Sequence, residues 1–262
     1  MLAIERALPL DPLYKYQSLA KAELVGQTCK SISENYLYWA DPTGFNDPFD
    51  CRTAYIFVGS QKERRAVRMR AANAMHPEKS RRERRLSAKR SPEIPDEQII
   101  RIMKLGDDLE IGKFGICCLS DCSDSILMWS HYAGNHAGIC LGFSPSIQAS
   151  DFASAMKVNY SHLRPITNLM HSIEGESFFD ATFLTKAEQW NYESEWRMIE
   201  RNITERRRPY PPSALVEVIF GARIKLDDRT KILSAIEVSG ATPKLLKAEI
   251  DETRFQINLV KL

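Results

Sequence analysis

The sequence predicts an α+β protein whose sheets are largely antiparallel. Short apolar and aromatic runs typical of strands are mixed with longer helix-forming stretches. They do not follow the regular strand–helix–strand rhythm of a parallel sheet, and we find no internal repeat. With 262 residues, 44% of them hydrophobic and 27% charged, the chain can bury a sizeable core and has an ordinary globular composition.

Nine segments are predicted to be strands because they are short, rich in apolar or aromatic residues and bounded by turn formers. In chain order they are Leu13–Tyr16, Asn35–Ala40, Phe114–Leu119, Gly138–Phe143, Met156–Tyr160, Glu195–Ile199, Leu215–Phe220, Pro243–Ala248 and Phe255–Val260. A turn at residues 41–44 ends the second strand, and an ordered aromatic loop, residues 45–50, follows it.

Helices are predicted where a capping residue precedes a longer stretch of helix formers. Ser18 is expected to cap a helix that runs through Val25, with Gly26 in the C-terminal cap position. The other predicted helices are Asp96–Leu105 with Asp96 as cap, Ser125–Tyr132, Ile166–Leu184 interrupted at Gly175, and a helix capped by Asp227 or Asp228 that ends near Val238.

Residues 61–90 form a strongly basic block. Twelve Lys or Arg stand against three Glu there, a net charge of +9, whereas the whole chain carries +2. We therefore predict a basic helical insert at residues 60–110 within a single domain of residues 1–262. The block either contacts the phosphates of a nucleic acid, without aromatic side chains for base stacking, or is a solvated segment that keeps the protein soluble.

A cytoplasmic protein with six reduced cysteines and no membrane partner is expected. The N-terminus lacks the charge and apolar run of a signal peptide, and no apolar run approaches 18 residues. No metal is expected, because the chain has no Cys-x-x-Cys pair. A zinc site remains an alternative, with ligands from the set Cys117, Cys118, Cys122, His131, His136 and Cys140.

The segment around Glu195 is predicted to be a strand with one charged and one apolar face. Successive side chains of a strand alternate, so Glu193, Glu195 and Arg197 share one face while Trp196 and Met198 share the other. The charged face looks either at water or into a cleft. In the second case Glu195 is a cleft carboxylate that Arg197 orients, between aromatic walls.

The strand after the double cysteine and the helix that follows it carry more candidates. Ser120 lies at the strand end, and with a helix starting near Ser125 it can bind a polar or phosphate-bearing ligand through hydroxyl and backbone N–H groups. The alternatives are a nucleophile at Ser120 or a cysteine with His131 as its base, or a purely structural capping turn. Trp129 and Tyr132 flank the histidine and are counted as candidate binding residues.

Aromatic side chains beside polar ones mark two more candidate segments. In the first strand the lysine is predicted to face away from both tyrosines, so that either the lysine or the tyrosine pair faces the cleft. The loop after the second strand is either an architectural Asx turn or a ligand-facing loop. The candidate binding residues of these two segments are Tyr14, Lys15, Tyr16, Tyr36, Trp39, Asn46 and Asp47.

Together these motifs resemble an uncharacterised bacterial family, domain of unknown function 2971. The motifs that carry the resemblance are Leu13–Tyr16, Tyr36–Asp50, Cys118–Ser120, Met128–Ala133, Gly138–Phe143 and Tyr192–Arg197, in the order of the family. The pattern is also distantly similar to the ADP-ribosyltransferase superfamily, notably the toxin-like enzymes that modify nucleic acids.

The similarity to ADP-ribosyltransferases implies split antiparallel sheets that hold NAD as co-substrate in a cleft between them. It implies that Tyr14–Tyr16 forms the first motif, that Ser120 positions the ligand, and that Glu195 is catalytic and stabilises the ribosyl cation. The implied activity is transfer of ADP-ribose to a nucleic acid or protein, in phage defence or a toxin-like system. The alternative is a non-catalytic protein that binds a nucleotide or nucleic acid.

Overall fold

The computed structural model describes residues 12–66, 78–90, 96–146, 151–168 and 176–262. The strands are β1 (Leu13–Gln17), β2 (Tyr36–Tyr38), β3 (Ala54–Ile56), β4 (Phe114–Ser120), β5 (Ile139–Phe143), β6 (Met156–Lys157), β7 (Asn159–Ser161), β8 (Ile166–Asn168), β9 (Thr185–Ala187), β10 (Glu195–Arg201), β11 (Arg207–Pro209), β12 (Leu215–Phe220), β13 (Lys244–Ile250) and β14 (Ile257–Lys261). The helices are α1 (Ala22–Ser33), α2 (Arg81–Arg90), α3 (Asp96–Ile111), α4 (Ile126–His131), α5 (Glu176–Phe183) and α6 (Leu226–Ser239).

The fold is mixed α+β, as predicted, and is built on one large sheet with flanking helices. Its eight strands run in the order β14-β13-β12-β5-β1-β4-β10-β6. Neighbours are antiparallel except for β12 and β13, which are parallel. The structure does not confirm two separate small sheets, because these eight strands form one continuous sheet.

The main core lies against the apolar side chains of the sheet. Trp196 and Met198 of β10 belong to it, as their alternation predicted, together with Leu13 of β1 and Phe143 of β5. Burial of such side chains contributes about 1.5–3 kcal/mol each. The core therefore fixes which way β10 faces, and it sends the charged side chains of that strand to the opposite side.

Helix α1 is longer than its sequence predicted. It begins at Ala22 with Lys21 as the N-terminal cap and continues to Ser33, so the predicted cap at Ser18 and end at Gly26 are wrong. The hydroxyl of Ser18 accepts a hydrogen bond from the backbone of Ala20 ahead of the helix. The helix persists through the glycine because its buried residues Val25, Thr28 and Ile32 hold it to the core.

Replacing Gly26 with alanine should stabilise the protein by about 0.5–1 kcal/mol, because glycine in a helix interior loses more backbone entropy than alanine. A Cβ atom at this position meets no atom within 4 Å. The measurement is urea unfolding. The control is Gly240→Ala, at the C-terminal cap of α6 with φ of 72°, which should destabilise. A loss of stability for Gly26→Ala would contradict the expectation.

Three other helix predictions are corrected by the structure, and the first is α3, which includes Asp96 and runs to Ile111 instead of ending at Leu105. Residues 166–168 form strand β8, not the start of a helix, because they pair in parallel with β3, and only Glu176–Phe183 is helical there. The predicted interruption at Gly175 lies outside the described residues. Helix α6 begins after Lys225, which makes no side-chain cap, while the two aspartates that were predicted as caps lie in its first turn. In the first turn their negative charges interact favourably with the positive end of the helix dipole.

Most of the described part of the insert is helical. Residues 61–66 are helical, as are α2 and α3, while residues 67–77 and 91–95 lie outside the described part. Tyr55 of β3 donates a hydrogen bond to Asp107 of α3, which ties this helix to the main fold. Across the described ranges, no helix is long and apolar enough to cross a membrane.

Candidate functional site

Three neighbouring strands at the middle of the sheet bring the predicted motifs together. Ser120, the last residue of β4, lies opposite Tyr14 of β1 on one side and opposite Glu195 of β10 on the other. β10 pairs with β4 along its whole length, whereas among the described residues the backbone pairing of β1 with β4 is limited to Tyr14 and Ser120. The sheet is therefore nearly divided between β1 and β4.

A cavity of about 200 Å³ opens beside this junction, and we call it the central cavity. Its walls come from β1, β4, α4, the loop after residue 44 and the segment that leads into β10. Its polar lining residues are Lys15, Tyr16, Asn46, Asp50, Cys118, Tyr132, Lys186, Glu193 and Glu195. Because opposite charges and aromatic hydroxyls line a small space, the cavity suits a compact polar ligand or one end of a larger one.

One wall holds a buried charge cluster of Asp50, Lys186, Glu193, Glu195 and Arg197. The guanidinium of Arg197 donates from Nε to Glu195 Oε1 at 2.8 Å, and from Nη2 to Glu195 Oε2 at 3.0 Å and Asp50 Oδ2 at 2.7 Å. The ammonium of Lys186 donates to Glu195 Oε2 at 2.9 Å and also to Glu193. Arg197 is 0% exposed and Glu195 3%, so the water-facing alternative for this strand face is wrong.

The position of Glu193 depends on the backbone just before β10. A 3₁₀ helix spans Glu188–Glu193, and Ser194 then adopts a left-handed conformation with φ of 44°. Glu193 therefore lies ahead of the strand, and strand alternation does not place it beside Glu195. Lys186, which contacts both carboxylates, brings the two together instead.

Ion pairs keep Glu195 ionised despite its burial. Burial alone would raise the pKa of this carboxyl, but Arg197 and Lys186 outweigh burial and hold it well below the ordinary value of 4.5. The pKa of Arg197 is likewise raised well above its ordinary value, because its neighbouring carboxylates outweigh its burial. Glu195 is thus a permanent anion at neutral pH.

Glu193 differs from Glu195 although both contact the same lysine. Burial raises the pKa of Glu193 above its ordinary value, and Lys186 only partly offsets that effect. Tyr132 donates a hydrogen bond to the other carboxylate oxygen, and burial raises the pKa of this phenol as well. Two carboxyls with pKa values pushed in opposite directions are the arrangement that acid–base chemistry uses.

The contribution of Glu195 to stability should depend on pH. Its pKa is lowered on folding, so its ionisation stabilises the fold fully above pH 4.5. This contribution declines as the pH falls below 4.5, because the unfolded chain takes up the proton first. The stability difference between wild type and Glu195→Gln should therefore shrink by about 2 kcal/mol between pH 7 and about pH 3, at 1.36 kcal/mol for each pKa unit. Urea unfolding of both proteins at the two pH values measures this. A constant difference would contradict it.

Ser120 is buried, and its hydroxyl both donates and accepts a hydrogen bond within the protein. Its hydroxyl donates to the backbone carbonyl of Glu193 at 2.6 Å and accepts from the backbone N–H of Cys122 at 3.1 Å. The backbone N–H of Asp121 also donates to the carbonyl of Ser194 at 3.1 Å. Ser120 therefore joins the end of β4 to the turn that carries Glu193, and it acts on the cavity through that turn.

The structure gathers some of the predicted site residues around the central cavity and places others elsewhere. Those that line it are Lys15, Tyr16, Asn46, Tyr132 and Glu195. Tyr14, Ser120 and Arg197 belong to the same three strands but do not line the cavity themselves. Lys15 and Tyr16 both line the cavity, so the prediction that only one of them faces it is wrong. The cavity lies along the edge of β1 that faces β4, so side chains from both faces of β1 can reach it. The ammonium of Lys15 donates a hydrogen bond across this edge to the carbonyl of Cys118 at 2.9 Å.

The remaining predicted residues serve other contacts. Trp129 is fully buried, meets Tyr16 edge to face and donates to the carbonyl of Ser123. Trp39 is buried in the main core, and Tyr36 lies beneath the guanidinium of Arg207. The other two are His131, exposed and bonded to Tyr192, and Asp47, which accepts a hydrogen bond from the backbone of Phe49.

Two members of the charge cluster, Asp50 and Lys186, were not predicted to belong to the site. Asp50 stood at the end of a recognised aromatic loop, so its position beside other motifs was a usable signal. Lys186 had no such signal, because it lies in β9, a three-residue strand that the sequence did not predict. Among the described residues no three His, Cys, Asp or Glu side chains are grouped to hold a metal ion.

The segment that holds four of the five residues of the charge cluster also carries the family signal. Residues 128–198 match the family described as "Protein of unknown function (DUF2971)". The matched segment includes the last four residues of α4, all of β5, Lys186, the two glutamates of the cluster and Arg197. It supports the family resemblance inferred from the motifs, and its description assigns no activity. Searches of curated proteins and of solved structures gave no match.

Proposed function

We propose that the protein transfers ADP-ribose from NAD to a macromolecular target, a nucleic acid or a protein. The observation that carries the proposal is the row Tyr14–Ser120–Glu195 across three neighbouring strands. The three motifs that resemble those of ADP-ribosyltransferases are far apart in sequence, and they meet beside one cavity. That cavity opens where the sheet is nearly divided.

Glu195 is suited to stabilise a ribosyl cation. When the bond between C1′ of the ribose and nicotinamide breaks, nicotinamide keeps the electron pair and positive charge develops on the sugar. A carboxylate held ionised in a buried site stabilises that charge without reorganising. Arg197 fixes the orientation of the Glu195 carboxylate through two hydrogen bonds, and Lys186 supports one of its oxygens.

Glu193 is suited to accept the proton of the target nucleophile. The pKa of Glu193 is raised and therefore lies closer to neutral pH, where a general base works best. In the proposed step the nucleophile forms a bond to C1′ and its proton passes to Glu193. Tyr132 and Lys186 each hold one oxygen of this carboxylate.

The size of the central cavity limits which part of NAD it takes. At about 200 Å³ it is smaller than the roughly 300–1,000 Å³ of pockets that enclose drug-sized ligands. We infer that it admits nicotinamide and the adjoining ribose, with Tyr16 as the aromatic wall, while the rest of NAD extends outside. The basic block at residues 61–90 would attract a target that carries phosphates.

A second candidate function is non-catalytic nucleotide binding, and one observation favours it. A carboxylate offers about four acceptor positions, and three of those on Glu195 already face N–H groups of Arg197 and Lys186. Cys118 adds a further side-chain hydrogen bond. A carboxylate so fully bonded can serve as a structural anchor of a binding cavity.

Nicotinamide release separates the two functions. Purified protein is incubated with NAD labelled in its adenylate phosphate, with and without cell lysate, and free nicotinamide and labelled macromolecules are measured. Transfer predicts nicotinamide release together with label on a nucleic acid or protein. Neither release nor label, combined with a rise of the melting temperature on addition of NAD or ADP-ribose, would overturn the transferase and support the binding protein.

A further inference from the structure

A second cavity of about 490 Å³ lies behind the loop that forms one wall of the central cavity. Different residues of this loop line the two cavities. Asn46 and Asp50 line the central cavity, whereas Phe49 and Arg52 line the second. Lys186 lines both. The second cavity is within the size range that encloses a drug-sized ligand.

The charges of the second cavity favour an anion. Arg52, Arg164 and Lys186 line it, against the single carboxylate of Asp47. Lys186 is neutralised by the buried charge cluster, and Arg52 forms an ion pair with the exposed Asp108 at 2.9 Å. Within the described ranges no carboxylate lies within ion-pair distance of Arg164. The positive charge of its guanidinium is therefore not balanced by a neighbouring carboxylate and favours an anionic ligand.

The same cavity offers flat apolar surfaces beside these cations. Trp190 lines it, and Phe49 is 59% exposed at its mouth. The guanidinium of Arg164 lies 5.2 Å from the centre of the Phe49 ring, which holds the charge beside an aromatic face. The Nε and Nη2 atoms of this guanidinium donate to the carbonyls of Arg52 and Thr53, which hold it in place and leave Nη1 without a hydrogen bond to these carbonyls.

We propose that this second cavity is a nucleotide-binding site, separate from the central cavity. Arg164 and Arg52 bind the phosphate, since guanidinium groups match phosphate oxygens in two hydrogen bonds. Trp190 or Phe49 stacks on the base, as aromatic side chains do in proteins that bind single strands. A free nucleotide and one unit of a single-stranded nucleic acid share this chemistry, and the site binds through that shared part whether or not the central cavity is catalytic.

The test compares two double variants of the full chain. Arg52→Gln/Arg164→Gln changes the second cavity, and Arg201→Gln/Arg207→Gln removes two exposed arginines that line neither cavity. The control is matched, because Arg207 lies over Tyr36 much as Arg164 lies over Phe49. The probes are a fluorescein-labelled single-stranded RNA of 12 nucleotides, followed by anisotropy, and each of the four nucleoside 5′-monophosphates, followed by titration calorimetry.

We expect wild type and the control pair to bind at least one probe, and the cavity pair to bind it about tenfold more weakly. For RNA the slope of log affinity against log salt should fall by about 1.4, the value for two lost phosphate contacts of a single strand. Loss with RNA alone identifies the strand as the source, and loss with a monophosphate identifies the free nucleotide. Trp190→Ala or Phe49→Ala should weaken the same probe about fivefold or more.

Equal binding by the two double variants would overturn the proposal, because the basic block would then account for all affinity. Binding of neither probe by wild type would overturn it as well. The binding measurements do not require nicotinamide release, so they test the second cavity separately from the transferase. Absence of release from wild type would overturn the transferase and leave the second cavity to be decided by the binding data.

Discussion

Replacing Glu195 with glutamine should slow nicotinamide release from NAD by about 10²–10³-fold, the usual effect of removing one preorganised electrostatic group from an active site. Glutamine keeps the shape of the side chain and one acceptor oxygen but removes the negative charge that would face the ribosyl cation. Because Arg197 and Lys186 lower the pKa of Glu195, this carboxylate does not titrate near neutral pH and should cause no change of the wild-type rate there. The measurement is the steady-state rate of nicotinamide formation.

The matched control is Glu200→Gln on the same strand. Glu200 is partly exposed, pairs with Arg208 at 3.0 Å and does not line the central cavity. Its loss should change the rate by less than about twofold, since surface pairs contribute at most about 1 kcal/mol to stability and Glu200 does not reach the substrate. A folded Glu195→Gln protein that releases nicotinamide at the wild-type rate would refute the assignment of Glu195 as catalytic.

Replacing Arg197 with methionine should lower the free energy of unfolding by about 3–5 kcal/mol. The guanidinium is fully buried and is bonded to Glu195, Asp50 and the carbonyl of Phe183. Methionine fills much of the volume but leaves Asp50 and Glu195 buried with Lys186 as their main cation. Guanidinium chloride or urea unfolding, analysed by linear extrapolation, measures the loss.

Arg201→Met, also on β10, provides the comparison. Arg201 is 63% exposed and pairs with the exposed Glu110 at 3.3 Å, so its loss should cost less than about 1 kcal/mol. Adding Asp50→Asn to Arg197→Met should recover part of the loss, because the two changes remove opposite charges from one network and their effects are not additive. Equal stability of the two arginine variants would show that the charge cluster does not support the fold.

Patterns confined to neighbouring residues predicted several elements of the large sheet and the helices around it, but not the short strands β3, β8, β9 and β11. The strand Leu215–Phe220 has the predicted bounds, and the helix predicted from Ser125 is α4 with Ser125 as its cap. The apolar alternation of Trp196 and Met198 also predicted the buried face of β10 correctly. These predictions succeed because side-chain alternation and capping depend on local backbone geometry.

The errors occurred where tertiary contacts oppose local preference. Helix α1 continues past Gly26 because its apolar side chains are buried beyond the glycine. Residues 166–168 are extended because they pair with β3, more than a hundred positions earlier in the chain. In both places a weak local propensity was overridden by burial or pairing.

The sequence by itself determined that Glu195 and Arg197 share one face of a strand and that Ser120 ends another, because period-two alternation is a property of the backbone. Only the tertiary structure decided that Asp50 and Lys186 join them, that Lys15 and Tyr16 line the same cavity, and that Glu193 is close to Glu195 although it lies outside the strand. The partners come from distant segments, and the burial that shifts the pKa values of the two glutamates in opposite directions exists only once those segments have packed together.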